Sequence, residues 1–160
     1  YRSSAASDVY KRQFLIDRVS KLLVISSSET YEQYGISITS FLNFNLIWNE
    51  GIAFGFFSFD EKLYYNFLTV FICLITVVII WLMIRSKGFE KLSYIMIIGG
   101  SFGNIFDRIF YLAVPDFIDI HINNFHWFIF NVADIFITLG IICLISIEIL
   151  GNKKFKNENH

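Results

Sequence analysis

Two aspartates, Asp116 and Asp134, stand in stretches of sequence that are otherwise apolar. Neither has an obvious cationic partner, and a carboxylate at membrane depth costs about 2.5–3.5 kcal/mol to insert, so each needs a reason to be there. Two carboxylates that converge in a poorly solvated place repel each other and share one proton. The ionised member can then activate a water molecule while the protonated member polarises a carbonyl group. The pair therefore predicts the chemistry of aspartic proteolysis.

A second set of polar side chains accompanies the two aspartates. Asn104, Asp107 and Arg108 stand at i, i+3 and i+4, so a helix presents them on one face, and Asn131 and Asp134 share a face by the same spacing. Two interpretations stay open for Asp107 and Arg108. They take part directly in the chemistry, or they lock two helices together through buried polar contacts.

Other catalytic arrangements find less support. Ser20 and Lys21 are adjacent, so their side chains diverge on a helix, and the sequence has no G-x-S-x-G motif. His121 and His126 are five positions apart, which does not stack them on one helical face, and His160 lies in the tail. No metal site is expected from these histidines.

Membrane helices are the elements that must position these residues. The 160-residue chain is 55% hydrophobic and only 17% charged, more apolar surface than so small a soluble domain can hide. Runs with few charges predict helices over 67–84, over 92–106 extended by Asp107 and Arg108, and over 127–147. A fourth run, 14–25, predicts a first helix that is too short to span a membrane alone.

The Lys and Arg residues predict how these helices are oriented. They are absent from 22–61 and from 113–131, whereas the turn 85–91 and the tail are basic. The positive-inside rule places that turn and both termini in the cytoplasm and the two other loops outside. The formal net charge of -1 and the lack of a basic patch predict no nucleic-acid partner.

One outer loop has the pattern of β-structure. Apolar and polar residues alternate over Leu42–Asn49, and briefly over Ile36–Thr39, which is the period of a strand with one apolar face. The expected fold is an all-α membrane protein with four transmembrane helices and a small periplasmic β-sheet between helices 1 and 2.

The first thirteen residues differ from the rest of the chain in hydropathy and charge. Their last six resemble the translation of a transposon-end adapter used in sequencing libraries, so 1–13 is interpreted as a non-native scar. A short, positively charged cytoplasmic leader is the alternative. The chain then divides into 1–13, a membrane domain over 14–150 with a truncated first helix, and a basic cytoplasmic tail over 151–160.

Five blocks, in this order along the chain, resemble the signature blocks of the lipoprotein signal peptidase (signal peptidase II) family: 17–21, 49–55, 99–108, 114–117 and 130–134. The resemblance implies that Asp116 and Asp134 form a catalytic dyad. It implies that four residues line the site and hold the substrate backbone or the dyad, namely Asn49, Asn104, Arg108 and Asn131. Asp107 would support the site, and Asp17 and Lys21 would stabilise the first helix against the rest.

The same resemblance implies an activity and a location. The substrates would be prolipoproteins carrying diacylglycerol on a cysteine, cleaved just before that cysteine without a metal or organic cofactor. The enzyme would be a monomer of the bacterial inner membrane, surrounded by lipid, with its site near the periplasmic face. Two departures bear on loop geometry: Pro115 stands where valine is more usual, and 126–129 lacks a common proline.

Three alternative functions are considered. A transporter or proton channel could use Asp107, Arg108 and Asp134 as an ion relay, although four helices without repeat symmetry disfavour it. A structural membrane subunit would use its polar residues only to join helices. A presenilin-like protease would need a Gly-x-Gly-Asp motif, which the sequence lacks.

Overall fold

Four helices and four strands make up the fold in the computed structural model, which describes residues 2–30, 36–50, 61–123 and 125–158. In chain order these elements are α1 (Arg2–Thr30), β1 (Ile36–Thr39), β2 (Leu42–Asn49), α2 (Glu61–Arg85), α3 (Gly88–Tyr111), β3 (Val114–Ile122), β4 (Phe125–Phe130) and α4 (Val132–Glu158).

Helices α2 and α4 expose many large apolar side chains. Among the described helices, the segments Tyr65–Arg85 and Val132–Gly151 are long and apolar enough to cross a membrane. Their large side chains face away from the other elements rather than into a core: Leu74 and Val77 of α2 are 61% and 62% exposed. Such an apolar exterior is unfavourable in water and is expected of helices that contact lipid.

Helix α3 is the central helix, and its glycines let its neighbours come close. A Cβ added to Gly103 would lie 2.6 Å from Asp17 Oδ2 of α1, and one added to Gly100 would collide with the Ala133 carbonyl of α4. Gly99 and Gly103 are four residues apart in the sequence, a small-xxx-small pair that predicts such a close approach, and the structure confirms it. This approach brings the polar residues of α1, α3 and α4 within hydrogen-bonding distance of one another.

The four strands form one antiparallel sheet in the order β1-β2-β3-β4. The two predicted strands are confirmed, but the expected position of the sheet was incomplete because β3 and β4 come from the segment between α3 and α4. Residues 118–122 alternate between apolar and polar side chains, and Asn123 adopts a left-handed φ of 54° that asparagine tolerates at a turn. This hairpin could have been found from the same alternation that identified β2.

Two predicted helix boundaries need correction. Helix α4 begins at Val132, and the start of the predicted run 127–147 belongs to β4. The sequence also predicts that Pro115 ends or kinks the third helix, since proline interrupts a helix, but α3 ends at Tyr111 and is followed by Leu112 in a left-handed conformation with φ 55°. Pro115 lies in β3 instead. The pairing of β3 with β4 begins only at Ile118, so the N–H group that proline lacks is not needed for that pairing.

The first and last helices extend into the predicted terminal segments. Helix α1 continues through residues 2–13, and α4 continues to Glu158, inside the predicted tail 151–160. The interpretation of 1–13 as an adapter scar can be tested by sequencing the intact gene.

Candidate active site

The two aspartates come together because a strand and a helix start at the same end of the fold. Asp116 lies on β3, where it pairs with Ile47 of β2, and Asp134 lies in the first turn of α4. Asn131, between β4 and α4, is fully buried and contacts both.

Asn131 and Asp134 form a reciprocal cap at the start of α4. The Oδ1 atom of Asn131 accepts a hydrogen bond from the backbone N–H of Asp134 at 3.2 Å. In return, Oδ2 of Asp134 accepts one from the backbone N–H of Asn131 at 3.1 Å. This is the arrangement of a capping box, in which the side chains at the N-cap and N3 positions satisfy each other's backbone donors. It fixes the Asp134 carboxylate at the positive end of the helix dipole.

Asparagine amides also hold the two carboxylates from other sides. Asn131 Nδ2 donates to Asp116 Oδ1 at 2.6 Å, and Asn49 Nδ2 donates to Asp116 Oδ2 at 2.8 Å. Asn104 Nδ2 donates to Asp134 Oδ1 at 2.7 Å. Within the described ranges neither aspartate forms an ion pair with Lys or Arg. Neutral donors thus orient both carboxylates and leave the pair free to exchange a proton.

The surroundings of Asp116 favour its protonated form. Its side chain is only 4% exposed, and burial raises the pKa of this carboxyl to about 6, against the lowering effect of the hydrogen bonds from Asn49 and Asn131. The negative charge of Asp134 raises the pKa of Asp116 further. A carboxyl group with its pKa raised in this way keeps its proton to a higher pH than an ordinary aspartate, and two acids that share one proton can act together as general acid and general base.

A buried ion network lies next to the pair and joins α1 to α3. Lys21 Nζ contacts Asp17 Oδ1 at 2.9 Å, Asp107 Oδ2 at 2.6 Å and Asn104 Oδ1 at 3.1 Å, and the Lys21 side chain is 1% exposed. Arg18 pairs with Asp107 at 2.5 Å and with Asp17 at 2.8 Å. Two cations therefore offset two buried acids, as burial of charge requires.

The network also reaches α4. Oδ1 of Asp17 accepts a hydrogen bond from the backbone N–H of Ala133 at 3.0 Å, one of the first N–H groups of α4, which lack a partner within the helix. Asn104 bridges the two halves of the site, since its Oδ1 accepts from Lys21 and its Nδ2 donates to Asp134. The ion network thus sets the position of the helix end that carries Asp134.

Arg108 forms no ion pair with an acid among the residues that the structure describes. Its Nη1 donates to the backbone carbonyl of Asn104 at 3.1 Å, and its Nε is buried without a hydrogen-bond partner among the residues that the structure describes. Asp107 instead pairs with Arg18 and Lys21. The two interpretations of Asp107 and Arg108 separate here: Asp107 joins helices, whereas Arg108 has spare donor capacity.

Of the predicted site residues, eight are linked by hydrogen bonds or ion pairs into one continuous set: Asp17, Lys21, Asn49, Asn104, Asp107, Asp116, Asn131 and Asp134. Arg108 adjoins it through the Asn104 carbonyl. Arg18 was missed as a site residue, although a charged residue beside Asp17 in an apolar run was a usable signal. The part of block 49–55 after Glu50 lies outside the described residues.

The structure also brings together Asp119, His121 and His126, whose candidate ligand atoms all lie within 4.8 Å of one another. The prediction that the two histidines are separated assumed a helix and is wrong, because they lie opposite each other on β3 and β4.

Known proteins resemble this chain over most of its length. A family model described as signal peptidase (SPase) II matches residues 12–150. The chain is 50% identical over 147 residues to the lipoprotein signal peptidase of Pelagibacter ubique (strain HTCC1062), covering 92% of this chain and 89% of that protein. It is 39% identical over 133 residues to the lipoprotein signal peptidase of Francisella tularensis subsp. novicida (strain U112), and the match covers 79% of this chain and 83% of that protein.

The fold is similar to two solved structures, both described as bacterial membrane enzymes obtained by the in meso method. The one at 2.3 Å resolution has a TM-score of 0.73 and 25% identity, and the match covers 98% of this chain and 93% of that chain. The one at 1.9 Å resolution has a TM-score of 0.74 and 24% identity, and the match covers 91% of this chain and 93% of that chain. These two likenesses extend over the helices and the sheet together.

Proposed function

This chain belongs to the signal peptidase II family, and we propose that it is a bacterial membrane protease that removes signal peptides from prolipoproteins by aspartic catalysis. The observation that carries the catalytic type is the joint fixing of Asp116 and Asp134 by Asn131. The family supplies the reaction, and the geometry supplies the two groups that would perform it.

The proposed reaction uses the pair with one proton between them. The ionised carboxylate removes a proton from water, and the water oxygen attacks the scissile carbonyl carbon while the protonated carboxyl group stabilises the developing oxyanion. Collapse of the tetrahedral intermediate breaks the C–N bond, and a carboxyl proton passes to the leaving amine. The shared proton is assigned to the pair rather than to one member, because strongly coupled acids titrate jointly.

The proposed substrate is a prolipoprotein whose cysteine already carries diacylglycerol, and the bond cleaved is the one just before that cysteine. The names of the two relatives support the substrate class. The outward apolar faces of α2 and α4 support a site that the acyl chains reach from within the lipid. The partners are therefore the lipid-modified substrate and the surrounding lipids, and the enzyme acts as a monomer.

The proposed topology has four transmembrane helices, both termini in the cytoplasm and the site at the periplasmic face. The sheet and the start of α4 lie at the C-terminal end of α3, opposite the short turn between α2 and α3. That turn carries Arg85 and Lys87, whereas β3 and β4 carry no Lys or Arg. The positive-inside rule then places the turn in the cytoplasm and the sheet outside.

The remaining site residues take two proposed roles. Arg108 binds the substrate backbone, since no acid within the described part of the chain pairs with its guanidinium. Asn49 and Asn131 position Asp116, and Asn104 and Asn131 position Asp134.

Three groups of the ion network hold α1 against α3 and α4 without touching substrate: Asp17, Lys21 and Asp107.

The experiment is a cleavage assay in detergent micelles with two peptides of identical sequence, one carrying diacylglycerol on the lipobox cysteine and one unmodified. The proposal predicts release of the segment before the cysteine from the lipidated peptide, and little cleavage of the unmodified one. No cleavage of either peptide by folded protein would reject the proposed protease. Equal cleavage of both would reject the proposed dependence on the lipid.

A further inference from the structure

A second cluster of ionisable groups lies on the β3–β4 hairpin, apart from the two aspartates of the proposed catalytic pair. His121 and His126 are direct partners in the strand register, and their ring centroids are 5.5 Å apart. Asp119 precedes His121 by two positions, so both side chains project from the same face of β3. The pleat of two paired strands thus collects two imidazoles and one carboxylate.

Asp119 has an unusual environment for an acid that is 0% exposed. Its two carboxylate oxygens lie 3.0 and 2.8 Å from Nδ1 of His126, and Asn45 Nδ2 donates to Oδ2 at 3.5 Å. In the part of the chain that the structure describes, no Lys or Arg pairs with it. A buried carboxylate needs a cation or several strong donors.

His121 has a related deficit. Its Nδ1 atom is buried and has no hydrogen-bond partner among the described residues. A buried ring nitrogen without a partner costs free energy, and a bound cation would satisfy it if that nitrogen carries the lone pair. The same cation would offset the charge of Asp119.

We propose that Asp119, His121 and His126 form a binding site for a divalent transition-metal ion of the zinc class. Two imidazole nitrogens and one carboxylate oxygen, with a water molecule in the fourth position, are a donor set that Zn²⁺ accepts.

The candidate ligand atoms lie within 4.8 Å of one another, and a small movement of the side chains would bring them to bonds of about 2.0–2.2 Å to a common ion. His126 can supply this movement because its side chain is 50% exposed.

The proposed ion is structural, and the site is separate from the catalytic pair. Asp119 and Asp116 are three positions apart on β3, which places them on opposite faces of a regular strand. Their contacts also differ, since Asp116 bonds to Asn49 and Asn131. A metal held by β3 and β4 would tie the hairpin together and restrain the strand that carries Asp116.

Metal binding by the purified 160-residue chain tests this proposal independently of cleavage. The protein carries an affinity tag without histidine and is freed of metal with a chelator. Zn²⁺ is then titrated in competition with a chromophoric chelator. The expected result is one tightly bound equivalent, weakened at least about tenfold in His121→Gln and in His126→Gln. His160→Gln, which alters the third histidine of the chain, is the matched control and keeps the affinity.

Two further readouts guard against a variant that fails to fold. In the unaltered protein, Zn²⁺ raises the melting temperature as its concentration exceeds the dissociation constant. Co²⁺ in its place gives the visible absorption of a four-coordinate site, and this absorption is lost in Asp119→Asn. No stoichiometric binding by the unaltered protein, or equal binding by the three site variants and the control, would overturn the proposal.

Discussion

Asn131 and Asp134 cap α4 for each other, and Nδ2 of Asn131 donates to Oδ1 of Asp116 at 2.6 Å. One asparagine therefore performs two separable tasks: its Oδ1 caps the helix and its Nδ2 orients the second carboxylate. The relationship explains how a strand residue and a helix residue keep a constant geometry at a junction between β4 and α4.

Substitution of Asn131 separates these two tasks. Asn131→Ser retains a hydroxyl that can cap α4 but removes the donor to Asp116, whereas Asn131→Ala removes both. We expect Asn131→Ala to lose about 0.5–2 kcal/mol of stability and Asn131→Ser to lose clearly less. Both should lose most of the cleavage rate. Thermal melting in detergent and initial rates on the lipidated peptide measure the two effects. An Asn131→Ser variant with normal turnover would show that the amide to Asp116 is dispensable.

Lys21 is expected to be essential for stability. Lys21→Met keeps the length of the side chain but leaves Asp17 and Asp107 with Arg18 as their remaining cation, so we expect a loss of about 3–5 kcal/mol, as for a broken buried pair. The double variant Lys21→Met with Asp107→Asn removes one charge of each sign and should regain part of this loss. If the double variant melts at or below the temperature of Lys21→Met, the coupling between these two residues is not the source of the loss.

Arg108 is expected to matter for cleavage rather than for stability. Because it pairs with no acid in the described residues, Arg108→Gln should melt within a few degrees of the unaltered protein while losing cleavage. The loss should appear mainly in kcat/KM if the guanidinium binds the substrate backbone. Arg85→Gln, at the far end of α2, is the matched control and should change neither quantity. A melting temperature lowered as far as in Lys21→Met would assign Arg108 to the scaffold instead.

The pKa of Asp116, raised by burial to about 6, predicts the pH dependence of cleavage. The active pair holds one proton, so kcat/KM should fall as rising pH removes that proton, with an apparent pKa near 6 on the alkaline side. The hydrogen bond from Asn49 lowers the pKa of Asp116. Asn49→Ala should therefore move this limb to higher pH, beside any loss in the maximal rate. A profile without change between pH 5 and 8 in folded protein would contradict the shared proton.

Local periodicity predicted some elements and could not predict others. Alternation over Leu42–Asn49 identified β2 with its observed bounds. The run 127–147 contains a strand and a helix with no charge at their boundary, so hydropathy alone could not divide it. Asn131 marks the start of the helix in the sequence, because an asparagine three residues before an aspartate is an N-cap signal.

The site residues themselves were easier to predict than their partners. Asp107 forms no ion pair with its neighbour Arg108, and its partner Lys21 is 86 residues away in sequence. Only tertiary packing through the α3 glycines brings them together. The same applies to His121 and His126, whose contact depends on strand pairing rather than on a helical spacing.

The catalytic pair is the central claim, and single-turnover cleavage of the lipidated peptide by Asp116→Asn and Asp134→Asn tests it most directly. Both variants should remain folded and lose at least about 10²–10⁴-fold in rate, since each removes an acid or base that the reaction needs. Glu148→Gln, which neutralises an exposed acid on the same helix as Asp134, should cleave at the unaltered rate. Substantial cleavage by either aspartate variant, in protein that melts normally, would contradict the assignment.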